Sequence, residues 1–335
     1  MNTFELSVLI PARNEMFLAQ TVADILEHSE ANTEVIVGLD GHWADPGIPD
    51  DDRVTLVYYP ESIGQRKMTN QLARLSKAKY VIKCDAHCTF DRGFDRKLIE
   101  DMQDDWTVVP VMRNLHAFDW LCLKCGSRWY QGPTPTQCLR NTGHPGNGTE
   151  VNDCKSTEFK RELVWKPNRH RPQNTSYCFD PEPHFQYNSE YKARQKGDLV
   201  ESMSLQGSFF MMTRKKYWEL NICDEKFGSW GSQGIEVAVK TWLSGGKVIC
   251  NKKTWYAHMF RTQGGDFSFP YEQKQSKVVE AKSRAREIFF NNNWDKQIHP
   301  LSWLVEKFWP VSYWTQEDLD NLKASEKWHS NGNKK

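Results

Sequence analysis

Asp85 and His87 stand two residues apart, directly after the run Tyr80-Val81-Ile82-Lys83-Cys84, in a chain of 335 residues. Side chains at i and i+2 of an extended segment point the same way, so a carboxylate oxygen and an imidazole nitrogen converge if strand geometry persists to the end of the run. A hard oxygen beside an imidazole suits Mn2+ or Mg2+, and an ion at the carboxyl end of a strand suits a diphosphate. Alone, such a triplet is more often a turn cap followed by a surface histidine. Its company changes the odds. Arg13 follows the run Leu6 to Ala12, and Asp40 ends the run Glu34 to Leu39. Three polar residues at three strand ends describe one nucleotide site.

A second group is made of cysteines. Cys122-Leu123-Lys124-Cys125-Gly126 is a C-x-x-C-G knuckle, and Cys138 and Cys154 follow in a stretch rich in Gly, Pro, Asn and Thr. Four such ligands have the composition of a structural Zn2+ site, which lets a core-poor segment fold. The second pair is not a C-x-x-C, so His144 or Cys178 can stand in for one of the four, and scattered reduced thiols are the alternative.

The elements that must position these residues alternate in type. A strand is expected in the run 6–15, breaking at Pro11 into a polar loop, and others at 34–41, at 54–59 and in the run 80–88. Helices at 17–28, with Leu18, Val22, Ile25 and Leu26 on one face, and at 65–76 separate them. Strand, helix, strand means parallel pairing with ligands at the carboxyl ends. Further on, a small-residue strand starts at Gly207, a helix opens near Gly234 with Ile235, Val239, Trp242 and Leu243, and Lys247 to Cys250 is a strand. A helix from Tyr271 runs through Val278, Ala281, Ala285 and Phe289, and another spans 316–325. The tryptophans near the C-terminus read as core, and the tail from Trp328 as disordered. The expected fold is α/β, a mostly parallel sheet flanked by helices with a cysteine-containing insert. Its divisions are 1–114, a nucleotide half; 115–200, the insert; 201–270, an acceptor half; and 271–335, a helical, aromatic-rich extension.

Composition sets bounds. With 39% hydrophobic and 26% charged residues the chain is globular, and a net charge of +1 leaves no bulk electrostatic footprint for nucleic acid or membrane. The N-terminus enters a strand without a signal-like region, and no apolar run reaches spanning length, so a soluble, cytoplasmic protein with no membrane contact is expected. Nine cysteines in such a chain favour thiols or metal ligands over disulfides.

Val8 to Glu15, the strand ending at Asp40, the Gly64-Gln65-Arg66 turn and Asp85-Ala86-His87 together resemble the nucleotide-binding half of GT-A glycosyltransferases of the family 2 type. The D-x-H triplet resembles the metal motif of polypeptide N-acetylgalactosaminyltransferases. The resemblance covers 5–112 and about 205–262. It implies that Pro11, Ala12, Arg13 and Glu15 hold a uridine, that Asp40 accepts from the uracil N–H, and that Gly64 and Arg66, or Lys67 beside it, lie by the diphosphate. It also implies that Gly207 floors the sugar pocket and that His258 joins Asp85 and His87 as the third ligand of Mn2+ or Mg2+. The donor is then a nucleotide sugar, UDP-linked. Trp230, Gln233 and Glu236 match the family's tryptophan-glycine-glycine loop and the helix after it, where inverting relatives carry a Glu-Asp pair. Here the leading carboxylate is missing and Glu236 survives a turn deeper, which implies a retaining transfer, although Glu236 can also serve as a base. Thr262 to Phe267 has the glycines of a lid.

The insert lies outside the resemblance to that family. It carries Trp120, Trp129, Tyr130, Lys160, Arg161, Lys166, Arg169, His170 and Arg171. Interleaved cations and rings can bind phosphates and stack on bases, or form an ordinary solvated surface. Soluble transferases with cysteine-bearing inserts resemble those of bacteriophages, some of which glycosylate hydroxymethylated bases in DNA. Modified DNA is therefore the expected acceptor and a host cytoplasm the expected location, with a surface glycan or protein hydroxyl as the alternative. A non-catalytic zinc-bearing binding module is a further reading.

Overall fold

A computed structural model describes residues 4–138, 154–171, 173–261 and 275–326. The first stretch holds β1 Leu6–Ala12, α1 Leu18–His28, β2 Thr33–Asp40, β3 Val54–Tyr59, α2 Gln65–Leu75, β4 Tyr80–Cys84, β5 Cys88–Phe90, α3 Phe94–Glu100 and β6 Trp106–Cys122. Next come β7 Arg128–Tyr130, β8 Phe159–Pro167, β9 Tyr177–Phe179, β10 Phe185–Tyr187, α4 Ser189–Arg194 and β11 Leu199–Glu201. After these lie β12 Phe209–Thr213, α5 Arg214–Glu219, α6 Gln233–Leu243 and β13 Lys247–His258. α7 Gln275–Ala285, α8 Leu301–Lys307 and α9 Gln316–Ser325 follow.

The main sheet runs β11-β13-β6-β12-β4-β1-β2-β3. Its central strands are covered on both faces, and their side chains alternate between two cores, as pleating requires. In β1, Leu9 faces one core while Val8 and Ile10 face the other; in β12, Phe210 and Met212 oppose Phe209 and Met211. α2, α6 and the C-terminal helices cover the first face, and α1 and α3 the second.

Three expectations are corrected. Parallel pairing is confined to β1–β4 and to β6 with β13; β12 enters antiparallel between β4 and β6, so the sheet is mixed. β6 runs unbroken through the expected boundary at 114, and only its far end, β7 and β8 form a projecting arm. Residues from 174 onward return to the sheet through β11 and bury Tyr177, Cys178 and Phe179 in the body. The segment from 275 is no appendage either: Ala281, Phe289, Leu304 and Phe308 lie in the same core as Trp242. The lid at 262–267, His144 and the tail lie outside the described residues.

Candidate metal and donor site

The site forms where β4 and β13 end together. β5 pairs with β13 so that His258 opposes Cys88, Asp85 N–H donates to Ser208 O at 2.9 Å, and Met259 N–H donates to His87 O at 3.1 Å. These ties bring Asp85, His87 and His258 to one point. His258 Nε2 lies 3.1 Å from His87 Nε2 and 3.2 Å from Asp85 Oδ2, and the last pair is separated by 4.0 Å. A cation with ligand bonds between about 2.0 and 2.6 Å places neighbouring octahedral ligands about 3 to 3.7 Å apart; the separations of 3.1 and 3.2 Å fall in that range, the one of 4.0 Å lies just above it, and the donor set suits such an ion in chemistry.

The surroundings prepare each ligand. His87 Nδ1 contacts Glu15 Oε2 at 3.2 Å, and Arg261 pairs with the other oxygen of Glu15. With the Nδ1 proton assigned to that contact, the Nε2 lone pair of His87 faces the triad. Lys83, itself buried, pairs with Asp85 Oδ1 and donates to Gly207 O at 2.8 Å. Burial alone would raise the Asp85 pKa, but the Lys83 charge and the neighbouring imidazoles outweigh it and hold the carboxyl well below the usual range. Burial pushes the His258 imidazole down to about 4, partly offset by Asp85, so it is neutral and able to ligate at neutral pH.

A cavity of about 560 Å3 opens beside the triad. Pro11, Glu15, Gly207, Trp230 and Gln233 line it together with Asp85, His87 and His258, so eight of the expected site residues share one space. α6 abuts its floor tightly: a Cβ on Gly234 would lie 1.9 Å from Leu205 O.

Ala12, Arg13, Asp40, Gly64, Arg66 and Glu236 are not on that lining. Arg13 Nη1 donates to Asp40 O at 2.9 Å. The Asp40 carboxylate is buried and accepts from Ile63 N, Gly64 N and Ser62 Oγ, so it shapes the turn before α2. Gly64 sits in that turn at φ +88°. Arg66 and Glu236 correct the expectation most clearly. Glu236 is fully buried, accepts from Asp224 N at 2.8 Å and Lys240 Nζ at 2.9 Å, and lies 3.1 Å from Arg66 Nη2. It is the anion of a buried charge cluster, and neither it nor Arg66 reaches the cavity.

Sequence reading missed Lys83, Arg261 and His184. His184, also on the cavity, turns Nδ1 to both oxygens of Asp180 at 3.0 Å; Asp180 accepts as well from Glu182 N, His184 N and Gln186 Nε2. A histidine four residues after an aspartate was the available signal.

On the arm, all four expected cysteines meet. Cys122 and Cys154 Sγ are 3.7 Å apart, Cys125 and Cys138 Sγ 3.4 Å, and the four sulfurs lie within 4.8 Å of one another. Cys178 is elsewhere, in the core. Most of the arm's rings turn inward, with Trp120 buried and donating to Gly132 O, Trp165 donating to Asp24 and Trp129 packed on Phe159, whereas Tyr130 is exposed. Lys160, Lys166, Arg169 and Arg171 are exposed.

Sheet order, triad and cavity together define the GT-A class of nucleotide-sugar transferase folds. Residues 7–119 match the profile described as Glycosyl transferase family 2, so the chain carries a glycosyltransferase domain there. A putative polypeptide N-acetylgalactosaminyltransferase 13 of Drosophila melanogaster is 22% identical over 322 residues, covering 90% of this chain and 48% of its own length. The human N-acetylgalactosaminyltransferase 7 is 27% identical over 71 residues, 21% of this chain and 11% of its own. The crystal structure of GalNAc-T7 with UDP, GalNAc and Mn2+ superposes with a TM-score of 0.60 at 15% identity, over 96% of this chain and 55% of that one. The chain spans about half the length of the relatives it matches end to end. Among the described residues no helix is long and apolar enough to cross a membrane.

Proposed function

We propose that the chain is a metal-dependent glycosyltransferase that moves a sugar from a UDP-linked donor to a hydroxyl acceptor. The observation that carries this reading is the convergence of Asp85, His87 and His258 on a cavity floored by Gly207 and walled by Trp230 and Gln233. Mn2+ held there would neutralise charge on the departing diphosphate. The residues supply the rest: Lys83 keeps Asp85 ionised, Glu15 orients His87, and Trp230 and Gln233 face the sugar. Ala12, Arg13, Asp40 and Gly64 act behind the lining by setting the loops that receive the nucleotide.

The carboxylates on the lining, Asp85 and Glu15, are committed to the triad and to Arg261. With Glu236 withdrawn, no uncommitted carboxylate among the described residues lines the cavity as a base, which supports retention, the leaving phosphate assisting the acceptor's deprotonation. For the acceptor, the exposed cations of the arm support a hydroxymethylated base in DNA, flipped out to reach the donor. Similarity to N-acetylgalactosaminyltransferases favours a second reading, a protein or glycan hydroxyl.

The test is release of UDP from a panel of UDP-sugars with Mn2+, alone and with hydroxymethylated DNA, peptides or glycans. Turnover should require metal and vanish in Asp85→Ala while the protein stays folded. Undiminished release by that variant would overturn the reading, and the acceptor that gains the sugar's mass identifies the substrate. A chain that releases nothing from any donor would be a binding module.

A further inference from the structure

We propose that the arm holds one Zn2+ in a closed tetrahedral site made by Cys122, Cys125, Cys138 and Cys154, and that this ion staples the arm's tip. Zn–S bonds of about 2.3 Å place tetrahedral sulfurs about 3.8 Å apart. The separations of 3.4 and 3.7 Å are close to that edge length, and all four sulfurs gather within 4.8 Å of one another. A disulfide would draw its sulfurs to about 2.05 Å and leaves no reason for two pairs to converge. The four thiols are free.

The backbone holds the ligand-bearing segments together: Cys122 N–H donates to Ser127 O at 2.9 Å, and Leu123 N–H donates to Glu158 O at 3.0 Å. The knuckle closes through Gly126 N–H to Cys122 O at 3.0 Å, with Gly126 at φ +72°, a conformation that side chains with a Cβ rarely adopt. Cys138 N–H donates to Ser156 O at 2.7 Å, clamping the other two ligands to one another. Among the described residues the cysteines form a cluster of their own, with Trp129 and Phe159 packed against it. A segment with so small an apolar core gains its order from the ion. Four protein ligands leave no open position, so the site is structural and separate from the triad.

Zinc content and thiol number of the intact protein test this without reference to transfer. Protein purified under reducing conditions should carry one zinc per chain by elemental mass spectrometry. In denaturant without reductant it should yield all nine thiols of the sequence. Release of the zinc by an organomercurial, followed with a chromogenic chelator, should open the arm near Leu123 and Glu158 to a protease while the GT-A body resists. Cys122→Ser and Cys138→Ser should each lose the metal and keep Mn2+-dependent UDP binding. Because a serine variant can misfold, the wild-type release experiment decides. Five thiols in place of nine would show two disulfides and overturn the proposal. So would nine thiols with less than about one tenth of an equivalent of zinc in a protease-resistant arm.

Discussion

Glu236 shows how far residue type alone can be read. Its place at the start of α6 suggested contact with sugar or acceptor, yet its carboxylate sits between Arg66, Lys240 and the Asp224 N–H, away from solvent. Removing one charge from such a cluster leaves the others buried and uncompensated. Glu236→Gln should therefore cost about 3 kcal/mol or more of stability in urea denaturation. UDP release per folded molecule should be retained. A stable variant with lost turnover would return Glu236 to the reaction. The metal triplet was legible from its residue types at a strand end, although Asp85 and His87 lie in the bend between β4 and β5 and the strand geometry that would align i with i+2 stops at Cys84; His258, 171 positions from His87, was legible only through family resemblance. The burial of Glu236 was hidden because every residue of α6 is buried, polar ones included. Apolar spacing reveals the greasy stripe of a helix and says nothing of what covers its other side.

Among the elements, α6 and the loop before β12 set the cavity's width. Gly234 lets the helix start lie against Leu205 O, where a Cβ would be 1.9 Å from the oxygen. Gly234→Ala should push the two apart, costing about 1 to 3 kcal/mol. UDP release should fall at least about tenfold, the equivalent of about 1.4 kcal/mol at the transition state. Gly47→Ala, where a Cβ meets nothing within 4 Å, is the control and should change neither. Unchanged turnover in Gly234→Ala would show that helix position does not govern the cavity. The order of elements up to residue 84 was plain in the sequence, since β1, β2 and β4 are short apolar runs and the amphipathic α1 and α2 stand between β1 and β2 and between β3 and β4. The antiparallel entry of β12 and the length of β6 were not, because local periodicity carries no information on a strand's neighbours or on where a sheet face becomes an arm.

For the molecule as a whole, one sheet joins segments far apart in the chain, and the ligand triad straddles β4 and β13. Outside the arm, heat should unfold the body in a single transition. UDP with Mn2+ at a hundred times its dissociation constant should stabilise it by about 2.7 kcal/mol. Two resolved transitions, with only one shifted by ligand, would mean that the halves fold apart. The expected boundary at 114 falls inside β6, because composition marks turns while hydrogen bonding between distant strands decides what folds together.

The insertion of β12 between β4 and β6 also imposes an order on events at the ribosome. Strands β1 to β4 are complete once residue 84 has emerged, but the partner that closes the open side of β4 ends at Thr213. At about 5 to 20 residues per second, the nascent half-sheet waits roughly 6 to 26 seconds with the edge of β4 unpaired. The strand that leads into the metal triplet thus keeps an open edge throughout the synthesis of residues 85–213, the interval in which that edge can meet a wrong partner.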